Sequence, residues 1–146
     1  MTDALRVSQE LHCPPEHAFA VWTTRLSTWW PKRHSASGDP DTVPVLEPRL
    51  GGRIYERTSD GREIEWGEIT EWDPPSRLGY RWHIAWDDAL ATDVQLTFVD
   101  LGDGRTRLDV VHTGWDRFGE DADRFRTANS GGWGALLPAF AAAVAS

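Results

Sequence analysis

The sequence predicts an α+β domain: a curved antiparallel sheet wrapped around one long C-terminal helix, with two short helices near the N-terminus. Three observations predict it. Successive segments alternate apolar and polar residues and are joined by short turns, the pattern of antiparallel strands paired with their chain neighbours. Beyond Asp121 the apolar period becomes helical, with Trp133, Leu136, Leu137, Phe140 and Val144 on one stripe. The closing stretch GGWGALLPAFAAAVAS carries no charged side chain, so that helix needs a cover, and a curved sheet supplies one.

The elements follow in order. ALRVSQELH sets Leu5, Val7 and Leu11 on one face and Arg6, Ser8 and Glu10 on the other, a strand with one wet side. In CPPEHAFAVW, Pro15 suits a first helical position and Glu16 the positive end of the helix dipole. Phe19 and Trp22, three apart, point the same way. STWWP reads as a second short helix, capped by Ser27 and stopped by Pro31. Residues 32–41 are loop.

Pro44 and Pro48 assign TVPVLEP to a sheet edge. Asp60–Gly61 joins two strands as a hairpin, and DPPS at 73–76 is a turn. RLGYRWHI aligns Leu78, Tyr80, Trp82 and Ile84, TDVQLTFVD aligns Val94, Leu96 and Phe98, and TRLDVVHT aligns Leu108, Val110 and His112. A helix over 121–145 closes the chain. Its glycines at 131, 132 and 134 and its Pro138 leave two forms open: a break near Gly132 with a restart, or one helix running through.

The chain has 146 residues, and one domain over 1–146 is expected. Fifteen basic and 23 acidic residues give a net charge of −8, which repels phosphate backbones, so no nucleic-acid partner is expected. No apolar run reaches about 18 residues, so no membrane partner is expected either. The N-terminal residues lack a signal-peptide pattern and Cys13 is the lone cysteine, which together predict a cytoplasmic protein. A homodimer is left open. The unusual count is tryptophan, nine against two tyrosines. Some of them pack an aromatic-rich core, and nine in one small domain suggest that several line a cavity.

STWWP, LEPRLGGRIYER, EWGEITEWDPPSRLGYRW, GDGRTRLDVVHTGW and GGWGALLPAFAAAVA follow one another in an order that resembles the SRPBCC, or START-like, superfamily. Within it, the chain is similar to bacterial proteins resembling the C-terminal domain of the activator of the ninety-kilodalton heat-shock chaperone's ATPase. The resemblance spans about Leu5 to Ala145. It implies a helix-grip fold and a deep, mostly apolar cavity between the inner sheet face and the last helix. It implies no shared catalytic motif.

Against that expectation, the candidate ligand-binding residues are Trp66, Glu68, Tyr80, Trp82, Phe98, His112, Trp133 and Leu137. The aromatic ones either stack on a flat ligand or simply pack the core. His112 either offers a polar handle near neutral pH or is satisfied by a neighbour. Alternation puts Glu63, Glu65 and Glu71 on one face and Glu68 with Trp66 on the other, so Glu68 turns inward if Trp66 does. Arg25, Lys32, Arg33 and His34 either greet an anionic ligand at the mouth or form a solvated loop.

The histidines at 12, 17, 34, 83 and 112 lack metal-ligand spacing, and no phosphate loop is present, so neither metal nor cofactor is expected. No residue is assigned a catalytic role. The expected function is binding of a small hydrophobic or aromatic molecule. The competing classes are a co-chaperone acting by protein contact and a cyclase- or hydrolase-type enzyme using the same cavity.

Overall fold

A computed structural model describes residues 3–84 and 86–145. Seven strands form one antiparallel sheet: β1 (Leu5–Leu11), β2 (Val43–Leu46), β3 (Arg53–Arg57), β4 (Glu63–Asp73), β5 (Arg77–Trp82), β6 (Thr92–Gly102) and β7 (Arg105–Thr113). Their order is β1-β7-β6-β5-β4-β3-β2. Chain neighbours pair throughout except that β1 crosses to β7, and α1 (Pro15–Thr24) and α2 (Leu26–Trp29) fill the gap between β1 and β2. The proline-bearing β2 lies at the sheet edge, where a missing N–H costs no ladder bond. Pro15 stands at the start of α1. α2 begins at Leu26, two residues before the start that a Ser27 cap implies, so Ser27 lies inside it and no side chain caps it.

α3 (Ala122–Ala145) runs unbroken through Gly131, Gly132, Gly134 and Pro138. Packing explains its persistence. Trp133, Leu136, Leu137, Phe140 and Val144 are all buried, and each buried side chain of that size contributes roughly 1.5–3 kcal/mol, enough to offset the glycines and to hold the helix through an exposed proline. The inner sheet face supplies Val94, Leu96 and Phe98 from β6 and Leu108, Val110 and His112 from β7, all buried. Trp22 links α1 to α3, its ring centroid 4.9 Å from Phe140 and 6.2 Å from Trp133. The sheet therefore grips the helix on its concave side, the helix-grip arrangement.

Strand β4 departs from simple alternation. Ile54 pairs with Gly67 but Tyr55 with Glu65, leaving Trp66 as an extra residue, and a second irregularity lies between Ile69 and Glu71. Such bulges shift which face the following side chains take. Trp66 and Ile69 are buried while Glu68 is exposed. The expectation that Glu68 follows Trp66 inward is thus corrected, because an inserted residue resets the period.

Candidate functional site

A cavity of about 330 Å³ opens between α3, the end of β5 and the segment following α2. Trp82, Ile84 and Trp86 form one wall, Phe125, Ala128, Asn129, Gly132, Trp133 and Leu136 a second, and Trp30, Arg33, His34 and Ser35 the rim. Its size falls at the lower end of small-molecule sites, roughly 300–1,000 Å³. The α3 wall recurs at three- and four-residue steps, one face of a helix. Gly132 opens it further, since a Cβ there would meet no atom within 4 Å.

Four of the nine tryptophans line this space. Three of them have their indole N–H tied down: Trp30 donates to the His34 carbonyl at 3.2 Å, Trp86 to the Leu90 carbonyl at 3.1 Å and Trp133 to His112 Nδ1 at 3.1 Å. A buried indole with its donor satisfied leaves only its π face to offer, which suits stacking. The ionisable lining residues, Arg33 and His34, gather at the rim, while the polar Asn129 on the α3 wall donates to the Phe125 carbonyl at 2.9 Å. Lys32 turns away to donate to the Thr42 carbonyl. Arg25 stays exposed at the α1–α2 junction and does not line the space.

The rim is anchored by a buried carboxylate. Glu56 is fully buried. Its Oε1 accepts from the backbone N–H groups of Ala36 (2.7 Å) and Ser37 (3.0 Å) and from Trp66 Nε1 (3.0 Å). Its Oε2 accepts from the hydroxyls of Ser37 and Thr42, both at 2.6 Å. Burial opposes the charge most strongly, yet hydrogen bonds from Ser37, Thr42, Trp66 and Ala36 together outweigh it and hold the carboxyl below its usual range. The acid turned into the structure is therefore Glu56. The alternation Ile54, Glu56 on β3 is the sequence signal that marks it.

His112 faces inward and both ring nitrogens are used. Trp133 Nε1 donates to Nδ1, so the ring proton sits on Nε2 and is donated to Thr92 Oγ1 at 2.7 Å. Thr92 in turn donates to the Trp82 carbonyl at 3.2 Å. Burial pushes the imidazole pKa down to about 3. His112 is a neutral bridge between α3, β6 and β7, positioned behind the cavity wall.

Of the expected residues, Trp82 and Trp133 line the cavity. Trp66, Tyr80, Phe98, His112 and Leu137 are buried but lie outside its lining. Trp66 and Tyr80 support Trp82 from behind, at centroid distances of 5.9 and 5.3 Å. Phe98 packs against Phe19 at 5.5 Å, on the α1 side of the core. Leu137 lies one helical step off the cavity face, which Leu136 occupies. Glu68 is exposed and does not line the cavity.

Comparison with known proteins places this geometry in a family. The family model described as Activator of Hsp90 ATPase homolog 1-like protein matches residues 12–145. The chain belongs to that family. Among solved structures, an anthrahydroquino-gamma-pyrone synthase, Txn09, is 36% identical, with 98% of this chain and 97% of that one covered and a TM-score of 0.68. The self-sacrificing resistance protein CalC from Micromonospora echinospora is 29% identical over 97% of this chain and 93% of its own, with a TM-score of 0.74. The Hsp90 activator PFC0360w from Plasmodium falciparum is 20% identical over 76% of this chain and 72% of its own, with a TM-score of 0.55, a likeness of fold alone. Comparison with curated proteins returns no match. No helix among the described residues is long and apolar enough to cross a membrane.

Proposed function

We propose that the chain binds a small, planar, hydrophobic or aromatic molecule between the sheet and α3. The observation that carries this reading is the four indoles, Trp30, Trp82, Trp86 and Trp133, around a cavity of about 330 Å³ whose ionisable groups, Arg33 and His34, are confined to one rim. Support also comes from the relative at 36% identity, named for an anthrahydroquino-gamma-pyrone, a fused planar ring system. Titration with an anthraquinone, followed by tryptophan fluorescence, tests it. Saturable quenching is expected, because a stacked quinone lies against the emitting rings. An unchanged spectrum up to the solubility limit of the anthraquinone rules the reading out.

The same relative is a synthase, which favours a second reading: the bound ring system also reacts, with His34 as the proton carrier and Arg33 stabilising developing negative charge. Replacing His34 by Ala then abolishes turnover of an anthrahydroquinone substrate while its binding persists. The co-chaperone alternative rests on the family description and on a likeness of fold, and fold does not carry function. Addition of the chain is expected to leave the ATPase rate of a ninety-kilodalton chaperone unchanged. Saturable stimulation would reverse that ranking.

A further inference from the structure

Outside the cavity, three side chains converge where β5 ends. Glu65 on β4, His83 just after β5 and Asp88 in the short turn 88–90 each offer a ligand atom, and these atoms lie within 4.8 Å of one another. His83 is only 7% exposed, and its Nε2 stands 3.1 Å from Glu65 Oε2. Elsewhere on this surface carboxylates meet guanidinium groups: Glu63 meets Arg53 and Arg57, Asp93 meets Arg117, and Glu10 meets Arg105. Glu65 pairs instead with an imidazole. Arg81 donates to the backbone carbonyl of Asp88 at 3.1 Å, and the neighbouring Asp87 spends its carboxylate on the N–H of Ala89 at 3.0 Å. Two carboxylates thus face one largely buried imidazole.

We propose that Glu65, His83 and Asp88 form a site for a divalent cation. A neutral imidazole and two carboxylates bring a charge of −2, which a dication neutralises. Mixed nitrogen and oxygen donors suit Zn²⁺, whose bonds of about 2.0–2.2 Å set donors roughly 3.4 Å apart, a spacing that atoms within 4.8 Å of one another reach by small side-chain movements. The two exposed carboxylates supply that adjustment by side-chain rotation. Three protein ligands leave a coordination position for water. The three ligands come from β4, the end of β5 and the turn at 88–90, so the ion ties the segment bearing Ile84 and Trp86, a wall of the cavity, to the sheet. Nothing in this inference depends on what the cavity binds.

Calorimetric titration of chelator-treated, desalted protein with ZnCl₂ tests the site. Uptake of one Zn²⁺ per chain is expected. His83→Ala and Asp88→Asn should each weaken it by at least ~10-fold, the loss that even an outer-shell change brings to a metal site. Glu68→Gln, which removes a nearby exposed acid, should leave it unchanged. The His83 ring resonances should shift in step with uptake. Absence of saturable uptake at millimolar Zn²⁺ overturns the proposal, as does uptake of undiminished affinity in Asp88→Asn or without a shift of His83. Asp88 is exposed, so that variant keeps the test decisive should His83→Ala fail to fold.

Discussion

Glu56 and His112 show how two ionisable side chains are buried in this small fold without an ion-pair partner among the described residues. Five hydrogen bonds satisfy the Glu56 carboxylate, and two satisfy the neutral His112 ring. Both arrangements make the fold acid-sensitive. Glu56 ionises below its usual range when folded, so its contribution is full above about pH 4.5 and is lost as pH falls through the folded value. His112 has a folded pKa near 3 against 6.5 for the free ring. Below pH 6.5 the unfolded chain takes up a proton that the folded chain refuses, so stability falls on acidification by up to about 1.4 kcal/mol per pH unit. The His112 ring resonances should therefore stay fixed between pH 8 and 4.5 while the urea midpoint drops. Titration of that ring near neutrality would contradict the assignment. Glu56→Gln removes the charge and puts an NH₂ either against the N–H groups of Ala36, Ser37 and Trp66 or against two hydroxyls that must turn to accept, and it should cost about 1–3 kcal/mol in urea unfolding at pH 7. A loss under 0.5 kcal/mol would mean that the 35–42 segment is not held through this carboxylate.

At the scale of elements, the strands with strict period two were legible. β5, β6 and β7 bury the residues that alternation selects, because none of the three carries an inserted residue over that stretch; the irregularity beside β5 lies in β4. β4 was not, because a bulge leaves the composition of a strand intact while exchanging its faces. Its one sequence trace is Gly67, a glycine inside a strand pattern. A Cβ there would stand 2.0 Å from the Arg81 carbonyl oxygen. Gly67→Ala must push β5 aside and should cost more than ~1–3 kcal/mol, the usual range for overpacking. Unchanged thermal stability would mean that the strands are further apart than described. The helix shows the same limit differently. Its apolar stripe was legible, but the stripe serves two purposes: Leu137 and Phe140 pack the core while Phe125, Asn129, Gly132 and Leu136 face the cavity. Spacing locates a buried face; it does not divide that face between packing and open space. For the same reason Trp66, Tyr80 and Phe98, chosen for the cavity, lie behind its walls, while Trp30, just past the end of α2, and Trp86, past the end of β5, were hidden by the absence of any period there.

For the whole molecule, the cavity is where three parts of the chain distant in sequence meet: residues 30–35, the residues Trp82, Ile84 and Trp86, and residues 125–136. A ligand held there touches all three and is lost on unfolding, so it acts as an added tertiary contact and stabilises only the folded state. An anthraquinone at a hundred times its Kd adds about 2.7 kcal/mol, which for a chain of this length raises Tm by roughly 5 °C or more. Non-specific attachment to exposed apolar groups such as Leu50 also quenches fluorescence, but it persists or grows on unfolding and gives no such rise. Gly132 separates the two cases. Leucine in its place has room to enter the cavity without a clash at Cβ, and it removes a helix-interior glycine that costs roughly 1 kcal/mol. Gly132→Leu should therefore equal or exceed the parent in Tm without ligand, yet gain little or nothing when anthraquinone is added. A ligand-induced shift that survives this substitution would place the binding site elsewhere on the molecule.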